Sequence, residues 1–434
     1  MKPPQSWGRI SDSKPAGVRR LTNRFANLKD LQGAIAPLLA HGLGRSYGDV
    51  CLNDGGALLL TSGMDRFIAF DRSSGVLRCE AGITLRQVLS LIVPQGWFLP
   101  VTPGTREVTL GGAIANDVHG KNHHAAGSFG HHIRQFELVR STGERLLCSE
   151  QKNTDLFAAT IGGLGLTGLI TWVEIQLIPI ANAFMEVETT RFSNLDAFWA
   201  INAQAESAWP YTVAWIDCLA SGARQGRGVF MAGQHAAPQP ELAAWKESHR
   251  AVPFDPPLSL VNGLSLRTFN QLYWHRAKNG RTLSHYVPYF YPLDAISHWN
   301  RIYGRKGFYQ YQCVLPPSVM QDGIRELLKR IARSGQGSFL AVLKTFGHRP
   351  SVGWMSFARP GATLALDFPN RGEDTLALFR ELDAVVREAQ GAIYPAKDAR
   401  MPPDLFRSGF PQWERFANVV DPGFHSNFWR RMTP

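Results

Sequence analysis

Gly42-Leu43-Gly44-Arg45-Ser46-Tyr47-Gly48-Asp49 is the stretch from which the rest of this 434-residue chain is read. Glycine admits positive φ and lets the backbone approach a ligand closely. Consecutive N–H groups in such a run form a nest for an anion. The spacing is not the G-x-G-x-x-G of a dinucleotide fold, and its strand–loop–helix frame differs too. By itself the run is equally well a plain turn. Two further loops change that balance. Pro103-Gly104-Thr105 is followed by Val108 to Asp117 (VTLGGAIAND), whose small residues permit close contact with a flat, extended ligand. Gly162-Gly163-Leu164-Gly165-Leu166-Thr167-Gly168 then precedes Leu169-Ile170. Three such loops point to a cofactor with a pyrophosphate and a ring system.

Around these loops, residues 30–178 read as alternating short strands and helices. Helical spacing runs over Leu31–Leu39, and Ala40-His41-Gly42 opens a turn. Ala57–Leu60, Arg66–Asp71 and Val76–Glu80 read as strands. Leu85–Ile92 reads as an amphipathic helix stopped by Pro94 and Gly96. Phe136–Arg140 and Arg145–Cys148 flank the hairpin signal Ser141-Thr142-Gly143. Leu156–Ile161 is expected as a helix and Gly168–Ile178 as a strand. From about Ala183 the glycine loops thin out. Strands at Phe308–Leu315, Ala341–Thr345 and Thr363–Phe368 alternate with helices over Asp322–Arg333 and Thr375–Gln390. The tail from Ile393 to Pro434 reads as loops.

Composition excludes several classes. Hydrophobic residues make up 44% and charged residues 19%, with 41 Gly and 27 Pro, which suits an ordered, loop-rich enzyme of two domains. The formal net charge of +11 is scattered, with no basic stripe or recognised motif, so nucleic acid is set aside in favour of a phosphate-bearing substrate or a membrane surface. The five cysteines (51, 79, 148, 218 and 313) contain no C-x-x-C pair, against a disulfide framework or structural zinc. No apolar leader and no apolar run long enough to cross a bilayer occur, which points to the cytoplasm. His119, His123 and His124 have poor metal spacing and no completing carboxylate or cysteine, so no metal is expected; His123 and His124 read as local structure.

In order, G-L-G-R-S-Y-G-D, P-G-T-x-x-V-T-L-G-G-A-I-A-N-D, H-G-K-N-H-H (119–124) and G-G-x-G-L-T-G resemble the vanillyl-alcohol-oxidase, or PCMH-type, family of FAD-binding proteins. Val118–His124 with Gly127-Ser128-Phe129-Gly130 resembles, more narrowly, the decaprenylphosphoryl-ribose oxidase group. The likeness continues through Tyr291-Pro292-Leu293-Asp294, Trp299-Asn300-Arg301, Leu366-Asp367-Phe368 and Tyr394-Pro395-Ala396-Lys397-Asp398. It implies an α+β fold. A two-subdomain FAD-binding domain over 1–183 and 392–434 is expected, with an antiparallel-sheet substrate domain over 184–391 and the active site between them.

The resemblance also implies roles. FAD contacts fall to Gly42, Gly44, Arg45, Ser46, Tyr47, Gly48, Pro103, Gly104, Thr105, Gly111, Gly112, Ala115, Asn116, His119, Gly120, Asn122, Ile170 and Tyr394. Substrate contacts fall to Lys121, Trp215, Gln310, Gln312, Lys344, Thr363 and Lys397. Gln310 and Gln312 lie two apart in a strand and so face one side. A base must take the substrate's hydroxyl proton, and Lys397, Tyr47 and His119 are the candidates, with Lys397 favoured. Covalent relatives read G-H-S where this chain has Gly44-Arg45-Ser46, which implies dissociable FAD. The aldonolactone oxidases' H-W-x-K is also absent, which counts against a soluble aldonolactone or alditol oxidase. Ala365 and Thr363 replace a cysteine and an asparagine of one family member. The implied reaction oxidises the C2 hydroxyl of a polyprenylphosphoryl ribofuranose to a ketone, towards an arabinan precursor. A short-chain dehydrogenase partner would complete the epimerisation, with peripheral contact at the inner membrane face.

Overall fold

A computed structural model describes residues 3–28, 37–238 and 250–434. Three sheets carry the architecture, and the fold is α+β. The first sheet is parallel, with Ala57–Leu60 between Gly17–Arg20 and Leu38–His41. The helix read over Leu31–Leu39 lies largely outside the described residues; its end, Leu38 and Leu39, opens a strand instead. Both leucines are buried, and a short apolar run does not tell a helix from a core strand.

The second sheet has five antiparallel strands in the order Phe67–Asp71, Val76–Glu80, Leu169–Gln176, Ile133–Val139 and Arg145–Ser149. Its last two strands form the expected hairpin, which turns at Gly143 with φ +84°. Thr84 and Gln87 form a capping box on Leu85–Ile92, whose Leu85, Val88, Leu89 and Ile92 are buried. That helix gives way to a single tight turn and stops at Gly96, φ +79°. Leu110–Ala115 is a short helix capped by Thr109. Its glycines let it approach closely enough for the Gly111 N–H to reach Ala81 O at 2.7 Å.

The third sheet has eight antiparallel strands. Their order is Gly280–His285, Phe184–Phe192, Gly228–His235, Tyr211–Ile216, Val342–Phe346, Gly361–Pro369, Phe308–Leu315 and Ala392–Ile393. Helices Met320–Ser334 and Glu373–Glu388 bury Ile324, Leu327, Leu328 and Ile331, and Leu378, Phe379, Leu382 and Val386, in the same apolar core. Each such side chain contributes roughly 1.5–3 kcal/mol.

The tail departs from the expected loops. It begins as the sheet's eighth strand, pairing with Cys313 and Val314. It then forms three short helices, Pro403–Gly409, Trp413–Ala417 and Asn427–Met432. Phe406, Phe416, Phe428 and Trp429 bury together there, but five to seven residues are too few to show a helical period in sequence. The tail then returns to the first sheet, where the Leu38 N–H donates to Gly423 O at 2.7 Å. No helix among the described residues is long and apolar enough to cross a membrane.

Candidate active site

The glycine loops and the eight-stranded sheet enclose one continuous cavity of about 680 Å³, within the range of cofactor and ligand pockets. Of the residues singled out from the sequence, all line it except Gly48, Asn122 and Trp215. Gly48 packs behind the loop, where a Cβ would fall 1.7 Å from Asp398 O. Asn122 is buried under its loop and donates to Pro100 O at 2.8 Å. Trp215 faces helix Gly263–Arg276: its ring meets Tyr273 at 4.5 Å and its indole N–H donates to Phe339 O at 2.9 Å. Val213, two residues earlier on the same strand, takes the cavity wall.

One end of the cavity is built for an extended anionic cofactor. Among the described residues no hydrogen bond uses the backbone N–H of Gly44, Arg45 or Ser46, so three successive donors on cavity-lining residues are free to form an anion nest. Arg45 stacks over Trp7 at 4.1 Å, and its buried Nε has no partner. Asn116 donates to Gly112 O at 2.8 Å while its buried Oδ1 stays unpartnered. A Cβ on Gly104 would meet no protein atom within 4 Å, so that wall is open to a ligand's flat face. Unpaired buried polar atoms are costly, and FAD, with its pyrophosphate and ring system, supplies what these residues lack. The residues fit the cofactor.

Lys397, Tyr47, Asp367 and Gln310 also converge on the cavity wall. Lys397 stands in the turn Pro395–Lys397, its Nζ 3.9 Å from the Tyr47 ring centroid. That Nζ makes no hydrogen bond among the described residues. Burial holds its pKa below the ordinary lysine value, and the field of Asp367 opposes the shift. Burial likewise lifts the Asp367 carboxyl, opposed by Lys397. Gln310 donates to Asp367 Oδ1 at 2.6 Å, leaving Oδ2 unpartnered. Burial, with Asp367 adding to it, keeps the Tyr47 phenol far above its usual pKa and so protonated.

His119 lines the cavity too. Lys344 Nζ donates to His119 Nδ1 at 2.9 Å and to Gly120 O at 2.6 Å. The Gln312 amide joins His119 Nε2, at 3.0 Å, to Thr363 Oγ1, at 3.2 Å. Both ring nitrogens are therefore engaged. Burial, reinforced by the Lys344 cation, keeps the imidazole neutral. Burial brings Lys344 down to about 7 and Lys121 down to about 8. Lys121 Nζ has no hydrogen-bond partner among the described residues and lies over the Tyr289 ring at 5.4 Å. His123 packs on Phe346, with ring centroids 4.5 Å apart, and His124 bonds to Trp209 O at 2.9 Å. Among the described residues no group of three or more metal-ligating side chains gathers.

The sequence reading passed over three residues that the site uses. Asp367 shares a strand face with Thr363 and Ala365, all three on the cavity; period-two alternation from Thr363 would have placed it there. Trp7 comes from the N-terminal segment, with its N–H on Ser46 O at 2.8 Å and Asn300 donating to its carbonyl at 3.1 Å. No local signal marks that role. Asp117 is fully buried at φ +37° and accepts from Ser128 Oγ and the Gly130 N–H, both at 2.8 Å, and from Ser356 Oγ at 2.5 Å. It ties the second glycine loop to the chain beyond it.

A family described as an FAD binding domain matches residues 27–149. The chain is 35% identical to decaprenylphosphoryl-β-D-ribose oxidase of Mycolicibacterium smegmatis, over 98% of this chain and 96% of that protein. It is 34% identical to an uncharacterized protein in the mprA 5' region of Streptomyces coelicolor, over 81% of this chain and all of that one. A putative D-arabinono-1,4-lactone oxidase of Neurospora crassa is 30% identical over 32% of this chain and 24% of its own length. A likeness that runs nearly end to end, on a cavity that fits FAD, decides the assignment: the chain belongs to the FAD-binding oxidase family that includes decaprenylphosphoryl-β-D-ribose oxidase, and it is an FAD-dependent oxidoreductase.

Proposed function

We propose that this protein oxidises the C2 hydroxyl of a polyprenylphosphoryl ribofuranose to a ketone, the first half of a two-enzyme epimerisation that a short-chain dehydrogenase completes. The observation that carries this reading is the pair Lys121 and Lys344, two amines whose pKa values burial lowers, which line one cavity with the amides of Gln310 and Gln312. An arriving phosphate holds both amines in their charged form and offers Lys121 the acceptor it lacks. A neutral lactone or polyol offers neither. The relative covering the whole chain carries a lipid-linked ribose in its name, and the net charge of +11 suits a substrate presented at an anionic membrane surface.

In the reaction the substrate C–H bond gives up a hydride and the O–H a proton. FAD, when bound, accepts the hydride. Lys397 takes the proton: its amine lines the cavity, is lowered in pKa and is free of other hydrogen bonds among the described residues. Tyr47, protonated, holds the ammonium that forms over its ring face. His119, neutral and fixed at both nitrogens, shapes the wall and does not exchange a proton. Gln312 and Thr363 orient the sugar hydroxyls, while Lys121 and Lys344 hold the phosphate. With Arg45 in place of an attaching histidine, FAD is bound without a covalent link.

An anaerobic visible spectrum tests this reading. Bleaching of the flavin by a short-chain polyprenylphosphoryl ribose, and not by free ribose, polyols or lactones, is the expected result. Bleaching only by a free polyol or lactone would assign a soluble oxidase and overturn it.

A further inference from the structure

No hydrogen bond among the described residues fixes the Lys397 amine, which rests over the Tyr47 ring, so its aim is inherited from the backbone that carries the lysine and that tyrosine. That backbone is held on both sides. Upstream, Tyr394 Oη donates to Asn116 O at 2.8 Å, and its ring stacks on Phe357 at 4.5 Å. Downstream, Asp398 Oδ1 accepts the N–H groups of Arg400 and Met401 at 3.0 and 2.8 Å. Asp398 Oδ2 accepts from Arg431 Nη2 at 2.9 Å.

Arg431 reaches further than Asp398. Its Nε and Nη2 donate to the two oxygens of Asp49 at 3.0 and 2.9 Å, and its Nη1 donates to Met401 O at 2.5 Å. Asp49 follows Tyr47 by two residues, as Asp398 follows Lys397 by one. Between the two segments there is no slack: the Tyr47 N–H donates to Ala396 O at 2.9 Å, and the Gly48 position has no room for a Cβ. One guanidinium from the last helix thus joins two carboxylates that would otherwise repel each other in a poorly solvated place. Its planar fork makes both contacts at once, which an ammonium cannot do with the same geometry.

We propose that Arg431 is a positioning residue for the oxidation: by clamping Asp49 to Asp398 it sets the Tyr47 ring and the Lys397 amine in register at the reacting hydroxyl, without touching substrate or cofactor. This rests on the reading of Lys397 as the group that takes the proton. Misplacement of a reacting group by about 1 Å costs up to about a hundredfold in rate, so the effect falls on the limiting rate of flavin reduction and not on substrate capture.

The test is a double-mutant cycle on the FAD-loaded protein, read by stopped-flow bleaching with a short-chain polyprenylphosphoryl ribose. Arg431→Ala is expected to retain FAD and to lower the limiting rate about tenfold or more, with the half-saturating concentration within about twofold. In a Lys397→Ala background the same change is expected to cost less than about twofold, because its effect passes through Lys397. An equal loss in both backgrounds, or no loss in either, overturns the proposal. If Lys397→Ala alone leaves the rate unchanged, the proposed role of Lys397 fails, a result separate from any effect of Arg431→Ala. Should Arg431→Ala not fold, Asp49→Asn, which keeps shape and removes one charge, carries the test. It is expected to lower the limiting rate about threefold or more, and an unchanged rate overturns the proposal.

Discussion

The amine of Lys397 rests 3.9 Å from the centroid of the Tyr47 ring, and the Tyr47 backbone N–H donates to the carbonyl of Ala396, the residue just before that lysine. Two segments some 350 residues apart in sequence thus form one unit, with the lysine amine on an aromatic face and no hydrogen bond of its own among the described residues. An amine so placed lines the cavity with its pKa lowered by burial, which is what a proton acceptor needs.

Removing that amine separates cofactor binding from chemistry. Lys397→Ala is expected to purify with FAD, because the nest at Gly44–Ser46 is untouched, yet to slow flavin reduction by about 10²- to 10⁴-fold. Stopped-flow bleaching measures it; reduction at the native rate would remove Lys397 from the mechanism.

The limiting rate is expected to rise with pH and then level. The neutral amine is the form that accepts a proton, and burial lowers the Lys397 pKa so that this form is populated near neutrality. Asp367 favours the ammonium, so Asp367→Asn removes that support and moves the rising limb to lower pH. Tyr47 is held far above this range and His119 below it, so neither contributes to the limb. Lys121 and Lys344 also titrate there, but their effect falls on the half-saturating concentration, which increases as they lose charge. A limb unmoved by Asp367→Asn would show that another group titrates.

Acid precipitation reports the cofactor linkage. Arg45 cannot form the bond that a histidine forms at this position in covalent relatives, so the yellow colour is expected in the supernatant. Colour retained in the washed pellet would show a covalent flavin.

Two glycine substitutions are expected to act in opposite ways. Gly48→Ala places a methyl 1.7 Å from Asp398 O and is expected to destabilise the apoprotein by about 1–3 kcal/mol or more. Gly104→Ala meets no protein atom and is expected to leave apoprotein melting unchanged while weakening FAD binding. Thermal melts with and without FAD, and fluorescence titration with FAD, measure both. Equal melting shifts for the two would contradict the cavity assigned here.

Much of this was legible in the sequence because it is local. Glycines at 42, 44, 104, 111 and 112 mark the loops that line the cavity, and alternation in FYQYQCVL puts Gln310 and Gln312 on one face whatever the strand packs against. The same alternation from Thr363 would have put Asp367 on the cavity, though the sequence reading passed over it. Helices of fewer than eight residues in the tail left no period to read, and the loops expected there are in fact helical.

What the sequence by itself determined is therefore the set of loops, the strand faces and the cofactor class, since each follows from chemistry within a few residues. What only the tertiary structure decided is which distant groups meet. Trp7 reaches Arg45, Lys344 reaches His119, and Arg431 joins Asp49 to Asp398. It also packed Trp215 on Tyr273, off the cavity wall. Those pairings depend on how the sheets and the returning tail pack, and the pKa values that govern the chemistry depend on the burial that packing creates. Burial and the distance between charges are properties of the folded whole, and no stretch of sequence carries them.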